Sequence, residues 1–168
     1  MSPPSADNAG EGNAPSAESK RVVLLSGPAE RLQLIAQHAD AALVSDSLPL
    51  RANLSVMENI ATVLQFRTNS YIGEAEDIAS QLLKVVGRQA CAQKRDPDLD
   101  HEERFIAKLL RAMVVGPPLI LIDRPAQLLP DSDYPVFLNR TLAALEGRFA
   151  KCWILDYAWN KPLYQRRA

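Results

Sequence analysis

Four apolar residues, Leu119-Ile120-Leu121-Ile122, run without a polar break and end in Asp123. Such a run suits a strand of a parallel sheet that is buried on both faces and has a polar group at its carboxyl end. Two further runs, Val22-Val23-Leu24-Leu25 and Cys152-Trp153-Ile154-Leu155, have the same character. The predicted order is strand 22–26, helix 29–38, strand 42–45, helix 54–66, helix 74–86, helix 101–115, strand 119–122, helix 132–146 and strand 151–155. Strands alternating with helices predict an α/β domain built on a parallel sheet. Within helix 74–86, Ala75, Ile78, Leu82 and Val85 recur at three- and four-residue spacing, which predicts one apolar stripe packed on a neighbouring helix.

The carboxyl end of such a strand is where open α/β sheets place ligands. Asp123 is therefore a candidate for chemistry, although an Asp that leads into a turn, with Pro125 blocking further pairing, accounts for the same residues. What lies upstream adds weight. The stretch Leu99-Asp100-His101-Glu102-Glu103-Arg104-Phe105-Ile106-Ala107-Lys108-Leu109-Leu110-Arg111-Ala112-Met113-Val114-Val115-Gly116-Pro117-Pro118 runs straight into the apolar strand. From Leu99 to Pro125 it resembles, without a gap, the ATP-binding-cassette (ABC) ATPases, in which an LSGGQ signature opens a helix followed by a short proline link and a strand ending in DEP. Arg111-Ala112 falls on the family's arginine-alanine pair, Pro117 on the link proline, Asp123 on the Walker B aspartate and Pro125 on the proline after it. Leu50-Arg51-Ala52-Asn53-Leu54-Ser55-Val56-Met57-Glu58-Asn59-Ile60 resembles the stretch after the family's Q-loop. That region faces a transmembrane partner in the family, so the resemblance makes Leu54, Val56, Met57, Glu58 and Asn59 partner-facing. Phe66-Arg67-Thr68-Asn69-Ser70, followed by an acidic helix, is loosely similar to the ATPases of MCE/Mla-type lipid transporters.

The resemblance implies a P-loop-NTPase-like (ABC ATPase-like) parallel sheet flanked by helices, trimmed at both ends relative to a full cassette. It also places the departures on the residues that do chemistry. A phosphate-binding loop needs glycine amides, a lysine and a hydroxyl. Here Gly27-Pro28-Ala29-Glu30 stands between strand and helix, with a proline that has no amide hydrogen and a glutamate where positive charge is needed. An ordinary strand-turn-helix, with Pro28 in the first helical turn, explains Gly27 and Pro28 equally well. Asp46 holds the Q-loop glutamine position, Asp156 the switch-histidine position and Arg124 the position of the catalytic glutamate. A guanidinium cannot serve as a general base at neutral pH. Gly27, Asp46, Asp123, Arg124 and Asp156 thus read as a vestigial nucleotide and magnesium site. Leu99, Asp100, His101, Glu102 and Glu103 read as a degenerate signature, in which the acids stabilise a helix start and repel a phosphate.

The remaining composition narrows the setting. In a chain of 168 residues with 47% hydrophobic content there is enough apolar surface for one real core, and a net charge of −1 gives no sign of nucleic-acid binding. Residues 1–20, rich in Ser, Pro, Ala, Gly and Asn, are expected to form a disordered tail and residues 21–168 a single domain. No run reaches membrane-spanning length and none resembles a secretory signal. Cys91 and Cys152 match no metal or redox spacing and read as free thiols of a reducing cytoplasm. His38 and His101 accompany no nucleophile pattern, and Trp159, Tyr164 and Arg166-Arg167 are expected to be exposed.

The expectation that follows is a non-catalytic ABC-ATPase-like subunit of a membrane transport system, a pseudo-ATPase that docks on a transmembrane permease subunit or a catalytic ABC ATPase subunit. It would be cytoplasmic, peripheral at the inner face of the membrane, with no cofactor needed and Mg-ATP at most a weak ligand. Two alternatives stay open: residual nucleotide binding or hydrolysis at a composite site, and an unrelated cytoplasmic α/β regulatory domain.

Overall fold

A computed structural model describes residues 19–166 and shows four strands in one parallel sheet. The strands are β1 (Lys20–Leu25), β2 (Ala42–Val44), β3 (Ile120–Asp123) and β4 (Cys152–Tyr157), in the spatial order β1-β4-β3-β2. Register pairs Leu25 with Tyr157, Val44 with Ile122 and Asp123 with Leu155. The carboxyl ends of all four strands therefore lie along one edge. β3 is buried at every position, as an unbroken apolar run between two sheet faces requires.

The helices are α1 (Pro28–Gln37), α2 (Val56–Thr68), α3 (Ile72–Val85), α4 (His101–Val114), α5 (Pro125–Leu128), α6 (Tyr134–Ala144) and α7 (Lys161–Gln165). Alternate residues of the strands feed two cores. Val44, Ile120, Ile122, Cys152 and Ile154 face a large cluster with α2, α3, α4 and α6, anchored by Phe105, Leu109, Leu110 and Leu138. Leu25, Leu121 and Leu155 face the other way, onto Leu34 and Ile35 of α1. The resemblance to a cassette-like parallel sheet flanked by helices is thus realised in the architecture.

Local differences from the expected elements have physical causes. β1 starts at Lys20, inside the expected tail, because its backbone pairs with Cys152 of β4; residues 1–18 lie outside the described residues. On α3 the buried face is Ala75, Ala79, Leu82 and Leu83, while Ile78 is 39% exposed. The stripe is rotated from the expected one so that two alanines allow α3 to approach α2 closely. α5 and α7 were not foreseen, each being about one turn long and opened by a proline at its start. Both cysteines are buried and free, and burial pushes the Cys152 thiol up to about 12. Among the described residues no helix is long and apolar enough to cross a membrane.

Candidate functional site

The strand carboxyl edge gathers all five expected site positions. Ser26-Gly27 follows β1, Asp46 follows β2, Asp123 ends β3 with Arg124 next to it, and Asp156 lies in β4. At the centre is Asp123, only 1% exposed. Arg31, on the first turns of α1, reaches it with a bidentate ion pair: Nε donates to Oδ1 and a terminal guanidinium nitrogen to Oδ2, each at 2.6 Å. Ser45 Oγ donates to Oδ2 at 3.0 Å, and Arg124 Nε approaches the same oxygen at 3.3 Å. Burial alone would raise the Asp123 carboxyl, but the Arg31 guanidinium, aided by Ser45 and Arg124, reverses this and holds it below the usual carboxylate range.

The start of α1 is also occupied from within the chain. Glu30 accepts hydrogen bonds from both the amide and the hydroxyl of Ser26, at 2.6 Å each. These two bonds hold its carboxyl below its usual range. The charge anticipated at Glu30 is therefore present, and it consumes the amide donor at the turn. Gly27 has an extended backbone with φ −179°, and a side chain there would meet nothing within 4 Å. It does not form a close backbone cradle.

Arg124 adopts a left-handed backbone (φ 49°, ψ 68°) at the start of α5. Its amide bonds the Leu155 carbonyl at 2.9 Å, which ties the β3 end to β4. Asp156 is a saturated acceptor. Oδ2 takes the hydroxyls of Tyr134 (2.9 Å) and Tyr164 (2.7 Å), and Oδ1 takes the Tyr157 amide and Asn160 Nδ2, each at 2.8 Å. Tyr164 is accordingly half-buried instead of exposed, while Trp159 is 64% exposed and stacks on Tyr157. Burial first, then the Asp156 carboxylate, raises both tyrosines well above the ordinary phenol range.

The stretch expected to be a degenerate signature, residues 99–103, is a tightly tied helix start. Asp100 and Glu103 form a reciprocal capping box on α4. Glu103 also pairs with Lys94 at 2.9 Å, Glu102 with Arg88 and Ser132, and His101 Nδ1 with Asp131 at 2.7 Å; Leu99 is buried. Asp46 stands apart from the Asp123 network and lines a cleft beside α4.

Of the residues expected to face a partner, Val56 and Asn59 are buried. Asn59 holds the preceding loop through bonds to Arg51, Leu54 and Ser55. Ser55 and Glu58 form a second capping box, and Met57 is half-buried with its amide bound to the Ala92 carbonyl. Leu54 lines an open groove of about 380 Å³ with Thr62, Val63, Phe66 and two arginines, Arg51 and Arg111. Phe66 is 92% exposed and Tyr71 86%. Sequence reasoning missed Arg31, Ser45 and Phe66. The signal for Arg31 was a cation one turn into a helix that follows a strand, a pattern too common to single out.

The fold defines the class: an ABC-ATPase-like α/β domain. Two solved structures of the dimeric bacterial ABC transporter cassette MJ0796, one in a post-hydrolysis state bound to ADP and Pi, superpose with a TM-score of 0.59, at 20% and 21% identity. Each likeness covers 79% of this chain and 59% of the cassette, and at that identity it establishes the fold. In sequence, 104 residues (61% of this chain) are 29% identical to the Fe(3+) ions import ATP-binding protein FbpC of Rhizobium etli, and the match spans 29% of that protein. No protein-family model matches the chain.

Proposed function

We propose that this chain is a non-catalytic, ABC-ATPase-like subunit of a membrane transport system, docking on a permease or on a catalytic partner subunit. The observation that carries the reading is the bidentate pairing of Arg31 with Asp123. In the cassette-like fold a carboxylate at this strand end is the natural ligand for a divalent cation. Here both of its oxygens already hold a guanidinium, which supplies the positive charge internally.

The neighbouring donors point the same way. The Ser26 amide is taken by Glu30, Pro28 has no amide hydrogen, and Arg124 offers no base. This donor set does not fit a magnesium nucleotide: a bound triphosphate would have to displace Glu30 and Arg31 together. The composite-site alternative, in which a partner provides the lysine and Asp123 holds magnesium, meets the same obstacle, because both Asp123 oxygens already accept from Arg31.

Docking is supported by the groove on α2, which begins in the segment that resembles the family's partner-facing stretch and continues beyond it along the helix. Leu54 and the half-buried Thr62 and Val63 line it, and Phe66 stands exposed at its end. The cytoplasmic, membrane-peripheral setting and the similarity to MCE/Mla-type systems belong to the same proposal.

The test is titration calorimetry of the purified chain with Mg-ATP, alongside the shift in its thermal midpoint. Neither a saturable heat nor a shift is expected. Saturable binding that Asp123→Ala weakens would overturn the reading, since a ligand at about 100 times its Kd stabilises by roughly 2.7 kcal/mol. For docking, a photocrosslinker placed at Thr62 is expected to trap an integral membrane protein or a full ATP-binding subunit in cells, and Phe66→Asp to abolish the crosslink.

A further inference from the structure

A cleft of about 320 Å³ opens between the loop after β2, the first turns of α4 and the short helix α5. It is separate from the Arg31–Asp123 pair and from the α2 groove. Its wall includes Lys108, a charged residue set in the apolar run Phe105-Ile106-Ala107-Lys108-Leu109-Leu110 and only 4% exposed. Its ammonium has three donors. Among the described residues it makes one hydrogen bond, to the Ser45 carbonyl oxygen at 3.1 Å, and no ion pair. Burial lowers its proton affinity, and Asp46, the nearest of the opposing charges in effect, offsets this only in part. A nearly buried ammonium with two donors free at an open cleft is met there by water, and an anion that replaces the water gains a charge-assisted hydrogen bond.

The other charged groups on the wall define which anion. Arg104 is committed to Asp96, through Nε at 2.7 Å, and to the carbonyls of Asp96 and Leu99. His101 is paired with Asp131. Asp46 is exposed and takes no hydrogen bond among the described residues, which leaves an acceptor at the rim. One free buried cation and one free rim carboxylate suit a ligand of a single negative charge that also carries a hydrogen-bond donor. A polyphosphate would meet Asp46 and Asp96 as like charges.

We propose that this cleft binds a small hydroxycarboxylate, its carboxylate on Lys108 and its hydroxyl on Asp46. The site is independent of whether the chain hydrolyses ATP or docks on a permease. It adjoins the centre of the fold, because Ser45 links Lys108 through its carbonyl to Asp123 through its hydroxyl.

The experiment is a series of NMR titrations of the uniformly ¹⁵N-labelled full chain with glycolate, acetate and inorganic phosphate. Glycolate is expected to saturate, with shifts at the amides of Ser45, Asp46 and Lys108, and to bind more tightly than acetate or phosphate. Lys108→Met keeps the apolar stem and removes the charge, and is expected to weaken glycolate about tenfold or more, the loss of one charge-assisted hydrogen bond. Lys108→Gln serves as an independent neutral variant, with cooperative unfolding confirmed for both. Asp46→Asn is expected to narrow the preference for glycolate over acetate. Failure of glycolate to saturate the folded wild-type chain, unaltered binding by both Lys108 variants, or phosphate as the tightest ligand would each overturn the proposal.

Discussion

Arg31 on α1 and Asp123 at the end of β3 are joined by two parallel 2.6 Å hydrogen bonds across 92 residues of sequence, and Asp123 is shut off from water. The pair fastens α1, the one helix on the smaller core among the described residues, to the centre of the sheet. Removing Arg31 leaves the buried Asp123 with only the longer Arg124 pair and the Ser45 hydroxyl, so Arg31→Ala should destabilise by about 3 kcal/mol, the low end for breaking a buried pair. Arg31→Met combined with Asp123→Leu should recover most of that loss, because two apolar side chains of similar size need no counter-charge. Urea denaturation of the two single variants and the double variant measures the coupling.

The same pair sets an acid limb of stability. The folded-state value of Asp123 is depressed below the ordinary value of about 3.9. In the window between the two, the unfolded chain binds more protons, so stability rises with pH across it. The contribution is fully present above about pH 4 to 5 and is lost as pH falls through the folded value. Unfolding midpoints measured from about pH 2 to about pH 6 should show this limb, and Asp123→Asn should flatten it.

Asp156 should act as a fastener for the end of the described chain. Its carboxylate receives two tyrosine hydroxyls, and Tyr164 is carried by α7. Asp156→Ala strands the buried Tyr134 hydroxyl without its acceptor and should cost about 2 to 3 kcal/mol. Hydrogen exchange at residues 161–165 should accelerate in the variant, while β3 amides stay protected. In the wild type, both tyrosines should resist ionisation in alkali until the protein unfolds, read by phenolate absorbance, because burial and the nearby carboxylate raise them.

Gly116 ends α4 with a left-handed backbone, φ +70°, and a Cβ there would lie 2.5 Å from the Arg67 guanidinium. That guanidinium donates to the Val114 carbonyl at 3.0 Å and so caps the helix from α2. Gly116→Ala combines an unfavourable backbone with displacement of the cap, and should destabilise by about 1 to 2 kcal/mol in thermal or urea unfolding. Arg67→Ala should cost less, and in the double variant the two effects should not add.

Much of the fold and part of the site could be read from local pattern. The unbroken apolar runs at 22–25, 119–122 and 152–155 specified strands of a parallel sheet, buried throughout at 119–122 and only half-buried at 22–24 in the edge strand β1. Asp100 with Glu103, and Ser55 with Glu58, specified helix starts through interactions only three residues apart. The residue types at Glu30, Arg124 and Asp156, which the resemblance sets beside the expected phosphate loop, at the catalytic glutamate and at the switch histidine, were equally visible. What the tertiary structure alone decided was pairing. Arg31 reaches Asp123, Tyr164 reaches Asp156, and Lys108 faces a cleft, because helices pack onto particular strand ends. Apolar periodicity is indifferent to such partners, as it records which face is buried and not which distant side chain meets it there. The rotation of α3 onto Ala79 and Leu83 was decided the same way, by how closely two helices could approach.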